Sequence, residues 1–366
     1  MSAQSSRAAT KPAIVKSGAA GAATFPGSDS RKYNYFEPKG RKATHYEDMT
    51  VDVQPDPERY LLQDWIISFP DGTPTYSKDW TAAKSSNWHK FRAVDQEWER
   101  THYQRQSTIC GMVQNTIENG RKSGAPARFD AAWVKILQNH LGAYKHAEFG
   151  LGTSTMQAQR YGYTQMVNNA ILTNSSYKLR FAQDITLYLS EIGLDLPGFD
   201  IAAGKQHWLE DPIWQSTRKS IESVMGSNDY LEQYFATNVV FEPLVGELFR
   251  SQLVQHAAPR NGDFVTPTLV GAGEHDYAER DLRYTRAMFA LLTDDREFAD
   301  HNRRILQDWL GTWTGRGIAA ARRLQPLWSQ PDAKPPRFED ALDRCKSRFA
   351  GIVTDLSLQT PKELTQ

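Results

Sequence analysis

The chain has 366 residues, and its 43 Lys and Arg residues balance its 43 Asp and Glu residues. This neutral balance gives no electrostatic basis for binding nucleic acid or an anionic membrane surface. No stretch approaches the roughly 20 apolar residues that span a bilayer, and the Gly- and Ala-rich segment Ala13–Phe25, interrupted by Lys16, lacks the apolar core of a secretory signal. We therefore expect a cytoplasmic protein without a membrane or nucleic-acid partner.

Residues 1–56 are predicted to form an extended N-terminal arm. Ser, Ala, Gly, Lys and Pro dominate it, and no helical or strand period persists. Tyr33, Tyr35 and Phe36 nevertheless lie close together in this polar segment, although disordered tails are usually poor in aromatic residues. The arm is therefore expected to dock these rings on a partner or on the chain's own body.

Residues 57–330 are predicted to form one helical domain, because helical periodicity recurs without an intervening linker. Asp130 is a predicted N-cap, and Pro212 lies in a first turn, where proline is favoured. The polar run Asn174–Ser176 is interpreted as a turn, and Pro243 is expected to kink or open its helix. The predicted helices cover 58–69, 94–121, 130–152, 155–172, 177–192, 211–225, 229–256, 274–292 and 294–328.

Residues 331–366 are predicted to contain a Pro-rich spacer over 331–336, an amphipathic helix over 338–355 and a polar tail. The chain has two cysteines, Cys110 and Cys345, each within a helical pattern with apolar neighbours. This context favours buried free thiols in a reducing compartment over a disulfide or a metal site.

A Glu-x-x-His motif occurs once, as Glu99–His102. Helical bundles that hold two metal ions take a glutamate from each of two helices and this motif from each of two others. With one copy on a strongly polar segment, the favoured interpretation is a solvated or interfacial helix face. One alternative is a stand-alone di-metal carboxylate oxidase that uses Glu99, His102, Glu148 and Glu247. Another is an unrelated helical scaffold protein.

Three glutamates, Glu148, Glu242 and Glu247, lie in apolar helical segments. A carboxylate in a bundle core is costly unless it is paired. A structural ion pair is therefore favoured over a metal ligand. The candidate partners are Lys145, His146, Arg180, Arg250 and Arg283.

Three segments carry a family resemblance: Ala236–Phe249, Glu274–Thr285 and Trp88–Arg92. They resemble the β-subunit, or hydroxylase small subunit, of the bacterial soluble di-iron multicomponent monooxygenases, over residues 33–328. The long polar N-terminal arm is most similar to the propane 2-monooxygenase group. The resemblance implies an all-α, ferritin-like (ribonucleotide-reductase-like) helical bundle with an extended arm.

The same resemblance implies a non-catalytic subunit in an α2β2 hydroxylase that binds no cofactor itself. The di-iron centre is expected in the partner α-subunit, and FAD and an iron–sulfur cluster are expected in an NADH reductase. A coupling protein completes the implied system, whose substrate would be propane or another small hydrocarbon or ketone.

Aligned with the iron-binding pattern of the α-subunit, this chain keeps at best one of the expected ligands. Lys178–Phe181 and Asp281–Tyr284 fall where the two Glu-x-x-His motifs belong. Glu148 falls at one single-glutamate position, and the other position falls near Gly246, with Glu247 one residue away. No catalytic, cofactor-binding or metal residue is therefore predicted.

The aromatic surplus is expected to serve a subunit interface, since permanent complexes bury several thousand Å² with an apolar, aromatic centre. The predicted interface anchors are Tyr33, Tyr35, Phe36, Trp65, Trp80 and Trp88.

Overall fold

The structure is a computed structural model that describes the backbone of residues 15–16 and 23–24, and residues 33, 35–52, 71–72 and 77–364. The chain divides into two units, Met1–Gln54 and Pro55–Gln366. The predicted helix over 58–69 lies outside the described residues. The division into 1–56, 57–330 and 331–366 stays a prediction.

The first unit contains a small strand pair. Strand β1 (Val15–Lys16) pairs antiparallel with β2 (Ala23–Thr24), with Val15 opposite Thr24. A π-helical turn follows at Glu47–Val51, where the Glu47 carboxylate accepts hydrogen bonds from the Thr44 amide at 2.8 Å and the Arg41 guanidinium at 2.6 Å. Both elements are too short for a repeating pattern in the sequence to predict them.

The described part of the second unit is a stack of α-helices, as predicted. None of its helices is long and apolar enough to cross a bilayer. The helices are α1 (Glu99–Lys122), α2 (Ala131–Ile136), α3 (Gly142–Ala158), α4 (Gln165–Asp195), α5 (Ala203–Glu210), α6 (Pro212–Met225), α7 (Tyr230–Phe235), α8 (Gln255–Ala257), α9 (Thr266–His275), α10 (Leu282–Thr293), α11 (Ala299–Arg323) and α12 (Phe338–Asp355).

Local capping chemistry explains the helix ends that the sequence predicts correctly. The Asp130 carboxylate accepts a hydrogen bond from the Ala132 amide at 2.9 Å and caps α2. Asp211 caps α6 in the same way, with Pro212 at the first position. These carboxylates satisfy amide donors that a helix leaves without an intrahelical partner.

The predicted turn at Asn174–Ser176 is wrong, because α4 runs through it without interruption. Its polar side chains have partners inside the bundle: the Asn174 amide group donates to the Tyr234 hydroxyl at 2.5 Å and accepts from Arg280 at 3.0 Å. The Ser175 hydroxyl donates to the Leu172 carbonyl within the helix. Tertiary partners therefore outweigh the turn preference of these residues.

The long apolar segment around Pro243 is helical but widened. Residues Ala236–Gly246 and Leu248–Val254 form π-helical turns between α7 and α8. The expected local opening at Pro243 takes this form, since proline lacks the amide donor of a regular turn. A further π-helical turn, Asp276–Asp281, joins α9 to α10.

The core lies where α3 and α4 pack side by side and the segment 236–254 and α9 complete the layer. Helices α6 and α11 cover one side, and α12 packs on the segment 236–246. Charged residues from α3, α4, α9 and 236–254 therefore point into one interior.

The crossing of α3 and α5 depends on two glycines. A Cβ added at Gly204 would lie 2.5 Å from the Gly142 Cα and 2.8 Å from its carbonyl oxygen. Because this neighbour is backbone, Gly204→Ala is expected to lower the free energy of unfolding by about 1–3 kcal/mol in urea denaturation. Gly351→Ala in α12, where a Cβ meets nothing within 4 Å, should instead be neutral or stabilising by up to about 1 kcal/mol. Equal effects at both positions would contradict the close crossing.

Candidate functional site

The interior of the helical layer contains a cluster of buried charges, which we call the core charge cluster: Glu148, Lys178, Glu242 and Arg250. Each of these side chains is at most 1% exposed. Glu148 lies on α3, Lys178 lies on α4, and Glu242 and Arg250 lie on the segment 236–254. Two cations therefore face two carboxylates from three different elements.

Arg250 is the centre of the hydrogen bonding. Its Nη1 donates to Glu148 Oε1 at 2.7 Å, and its Nη2 donates to Glu242 Oε2 at 2.6 Å. It also donates to the Tyr144 hydroxyl and to Glu274 Oε2, at 2.7 and 2.9 Å. The planar guanidinium, with five N–H donors, suits such a set of acceptors.

Lys178 closes the other side of the cluster. Its ammonium donates to Glu242 Oε1 and to the Tyr177 hydroxyl. It also lies 3.9 Å from Glu148 Oε2. Each carboxylate of the cluster therefore lies between two cations.

The pKa of Glu242 shows how strongly the cations act. Burial alone would raise this pKa, but the charges and hydrogen bonds of Arg250 and Lys178 outweigh burial and lower it to about 2. Glu242 is therefore an anion at neutral pH. Asp281, which is fully buried, behaves oppositely, because burial raises its pKa well above the ordinary range.

The positions at which the sequence comparison predicts iron ligands of the α-subunit carry groups of other chemistry in this chain. A Cβ at Gly246 would lie 2.6 Å from Glu242 Oε2 and 2.8 Å from Arg250 Nη1, so a side chain there would displace the ion pair of these two residues. Phe181 packs its ring on Gly273, where an added Cβ would lie 2.8 Å from it. Tyr284 donates its hydroxyl proton to Asp95, and the Arg280 guanidinium lies 4.5 Å from its ring centre.

The core charge cluster does not fit a pair of iron ions. Three of its four carboxylate oxygens accept hydrogen bonds from two fixed cations, the fourth, Glu148 Oε2, lies 3.9 Å from the Lys178 ammonium, and no imidazole contributes to the cluster. A metal ion would lie against the Lys178 ammonium and the Arg250 guanidinium in an interior that screens charge weakly. The arrangement is structural, since it neutralises the carboxylates and joins α3, α4 and the segment 236–254.

The Glu-x-x-His motif agrees only in part with the predicted solvated or interfacial helix face. Glu99 is exposed, whereas His102 is buried. The His102 ring pairs with Glu97 Oε2 at 3.1 Å through Nδ1 and with the Ser176 hydroxyl at 2.6 Å through Nε2. Both ring nitrogens are thus engaged, so His102 does not join Glu99, Glu148 and Glu247 in a metal site.

Glu97 is the centre of this second ionic group. It accepts from Arg105 Nε at 2.8 Å and pairs with Arg280 at 2.5 Å. Burial would raise its pKa, but the hydrogen bonds of His102 and Arg105, with the charge of Arg280, lower it to about 2. The group ties α1 to α4 and to the turn 276–281.

At the edge of the core charge cluster, Arg348 on α12 pairs with Glu247 Oε2 at 2.7 Å and with Glu274 Oε1 at 3.4 Å. Burial raises the pKa of Glu247 to about 7. Burial also raises the pKa of the nearby Cys345 thiol. Cys345 is buried and Cys110 is partly exposed, and both are free thiols.

The predicted interface anchors have different environments. Tyr33 and Phe36 contact each other with ring centres 4.4 Å apart, and they and Tyr35 are half-buried. Trp80 is half-buried and packs on Tyr161 at 4.7 Å, whereas Trp88 is 3% exposed. Trp65 lies outside the described residues. The interface role of all six residues stays a prediction.

Lys178 is the cluster residue that the sequence argument did not pair. Arg250 is a correctly predicted partner, whereas Lys145 and His146 line the surface groove described below. The sequence signal that could have identified Lys178 is its place at the start of the first expected Glu-x-x-His motif.

Comparison with known proteins gives consistent matches along the chain. The chain is 44% identical over 348 residues to the hydroxylase component small subunit of propane 2-monooxygenase from Gordonia sp. (strain TY-5), covering 95% of this chain and 94% of that protein. It is 24% identical over 314 residues to the methane monooxygenase component A beta chain of Methylococcus capsulatus, covering 83% and 81%.

A solved structure with a similar fold supports the fold assignment. A chain of phenol hydroxylase from Pseudomonas sp. OX1 superposes with a TM-score of 0.73 at 18% identity, covering 87% of this chain and 92% of that one. The predicted all-α, ferritin-like bundle and the resemblance that predicted it are confirmed. The methane/phenol/alkene hydroxylase family model matches residues 65–296. The chain belongs to this hydroxylase family.

Proposed function

We propose that this chain is the non-catalytic small subunit of the hydroxylase component of an NADH- and O2-dependent monooxygenase. The observation that carries the proposal is the core charge cluster, where Lys178 and Arg250 supply the positive charges among Glu148 and Glu242. The interior is thereby stabilised without a metal ion. The chain's role is then to hold the larger assembly rather than to activate oxygen.

The finer assignments of the proposal are those that the family resemblance implies. The di-iron centre belongs to a large α-subunit, with which this chain forms an α2β2 complex in the cytoplasm. Electrons come from an NADH reductase carrying FAD and an iron–sulfur cluster, and a coupling protein completes the system. The substrate is propane or another small hydrocarbon or ketone, since the relatives at 43–44% identity are named for propane.

The stand-alone di-metal oxidase receives no support from the described geometry. Glu99 is exposed, His102 is engaged by Glu97 and Ser176, and Glu148 is engaged by Arg250. An unrelated helical scaffold is disfavoured by the family match over residues 65–296.

The surface of α3 and α4 is our candidate for contact with the large subunit. A groove of about 550 Å³ lies there, lined by Lys145, His146, Phe149, Leu179, Ala182, Gln183 and Thr186. Phe149 is 57% exposed and Leu187, also on α4, is 44% exposed. Burial lowers the pKa of His146 to about 4, so its ring is neutral at pH 7. Exposed apolar surface of this kind is typical of an interaction site.

The test is co-purification of this chain with the large subunit after co-expression. Wild-type protein should elute as one hetero-complex in size-exclusion chromatography. Phe149→Glu is expected to weaken that complex by about 2 kcal/mol or more, because it places a charge in an apolar contact. Phe264→Glu is the matched control, since Phe264 is also exposed, at 71%, but precedes α9.

Two outcomes separate the parts of this proposal. A complex unaffected by Phe149→Glu would place the interface on another surface and leave the subunit assignment intact. A wild-type chain that stays a monomer when it is co-expressed with the large subunit would overturn the assignment itself, since a hydroxylase small subunit must bind the large one.

A further inference from the structure

Three side chains that the proposed function does not use lie together near the beginning of α3. His140 belongs to the π-helical turn Leu137–Leu141 and is buried. His207 lies on α5, and Asp211 is the N-cap of α6. One ligand atom from each side chain lies within 4.8 Å of the other two. Within the described residues, this is the one group of histidine, cysteine and carboxylate side chains with that spacing.

The fold brings these residues together through two local features. The backbones of α3 and α5 approach closely at Gly142 and Gly204, which places His140 and His207 on facing turns. Their ring centres lie 5.2 Å apart at an interplanar angle of 66°. The π-helical turn is the second feature, and such turns occur frequently at functional sites.

The carboxylate of Asp211 is already held in place. Its Oδ1 accepts from the Ile213 amide at 2.9 Å, and its Oδ2 pairs with His207 Nδ1 at 2.8 Å. The side chains of His207 and Asp211 are 31% and 17% exposed, so an ion can enter from solvent. His140 forms the inner wall, where burial lowers its pKa to about 4 and keeps the ring neutral.

We propose that His140, His207 and Asp211 form a binding site for a divalent transition-metal ion, with Zn²⁺ as the representative ion. Two imidazoles and one carboxylate are a common donor set for Zn²⁺, with bonds of about 2.0–2.2 Å. Such bonds require ligand atoms within roughly 4.4 Å of one another, so small rotations of the two half-buried side chains, His207 and Asp211, complete the site. The ion would clamp α5 and the start of α6 onto α3.

A hydrogen bond to His140 competes with metal binding, and this gives the proposal a specific consequence. The Trp214 indole Nε1 donates to His140 Nδ1 at 3.2 Å. A neutral imidazole has a single lone pair, so coordination of the ion by His140 must replace this hydrogen bond. The environment of Trp214 therefore changes when the site is filled.

The test is a calorimetric titration of Zn²⁺ into the full chain, after a chelator has removed any bound metal. One Zn²⁺ should bind per wild-type chain, and tryptophan fluorescence should change with the same saturation. Asp211→Asn and His207→Ala should each weaken binding at least about tenfold. Asp211→Asn is informative because asparagine is an equally good N-cap, so α6 is expected to stay folded.

His256→Ala is the matched control, because His256 is exposed on α8 and outside the group. It should bind Zn²⁺ as the wild type does. Absence of stoichiometric binding by the wild type would overturn the proposal. So would equal binding by the wild type and the His207→Ala and Asp211→Asn variants. Neither result bears on the subunit assignment, which does not involve this site.

Discussion

Lys178→Met is expected to lower the free energy of unfolding by about 3–5 kcal/mol, the usual cost of breaking a buried ion pair by removing one partner. The core charge cluster contains two cations, Lys178 and Arg250, and two anions, Glu148 and Glu242. Removing the ammonium leaves a net negative charge in an interior where these side chains are at most 1% exposed. Urea denaturation, monitored by circular dichroism, measures this change in the free energy of unfolding.

A double variant distinguishes charge imbalance from lost packing. Lys178→Met combined with Glu242→Gln restores a neutral cluster, with one cation and one anion remaining. This double variant should be more stable than either single variant, since a balanced apolar or neutral replacement of a buried pair is often nearly neutral. Additive losses would show that packing, rather than charge balance, dominates.

Lys122→Met is the matched control for this series. Lys122 is 73% exposed, and its ammonium lies 3.3 Å from Glu118. Exposed pairs of this kind contribute at most about 1 kcal/mol. A loss at Lys178 no larger than that at Lys122 would mean that the cluster does not hold two buried charges of each sign.

The second large effect is the dependence of the free energy of unfolding on pH through Glu247. Burial raises its folded pKa to about 7, although Arg348 opposes this and Glu274 adds to it, whereas an unfolded glutamate titrates near about 4.3. The native state therefore keeps a proton that the unfolded state releases. The resulting stabilisation, about 3–4 kcal/mol, is fully present below the unfolded pKa and is lost as pH rises through about 7.

Glu247→Gln removes this dependence, because glutamine does not titrate. The stability of the wild type relative to the variant should fall by about 2–3 kcal/mol between pH 5 and pH 8, as measured by urea denaturation at each pH. Glu222→Gln on α6 is the control, since the Glu222 side chain is 56% exposed. A wild-type protein that gains stability relative to Glu247→Gln over this range would contradict the raised pKa.

Sequence reasoning predicts the helices whose ends depend on neighbouring residues. Asp211 and Pro212 begin α6, and the predicted helix over 338–355 agrees with α12, because capping and amphipathic periodicity are local signals. It misses the continuity of α4 through Asn174. The partners of Asn174, Tyr234 and Arg280, lie about 60 and 106 residues away along the chain.

The core charge cluster was predictable in part. The cost of burying Glu148 and Glu242 requires cations nearby, and Arg250, within eight residues of Glu242, was an evident partner. Lys178 was not an evident partner, because it lies 64 residues from Glu242 and no local sequence pattern links the two positions. The group of His140, His207 and Asp211 was also missed, since it depends on the crossing of α3 and α5 at Gly142 and Gly204.

Iron analysis of this chain tests the central claim most directly. The full chain is purified without the large subunit, incubated with Fe²⁺ under anaerobic conditions, desalted and analysed by mass spectrometry for bound iron. Because Lys178 and Arg250 already engage the buried carboxylates, the chain should retain no pair of irons, and the His207→Ala variant, which lacks the proposed transition-metal site, should retain no stoichiometric iron. The complex with the large subunit should retain iron. About two irons per isolated chain, as a di-iron bundle binds, would contradict the assignment of this chain as the non-catalytic subunit.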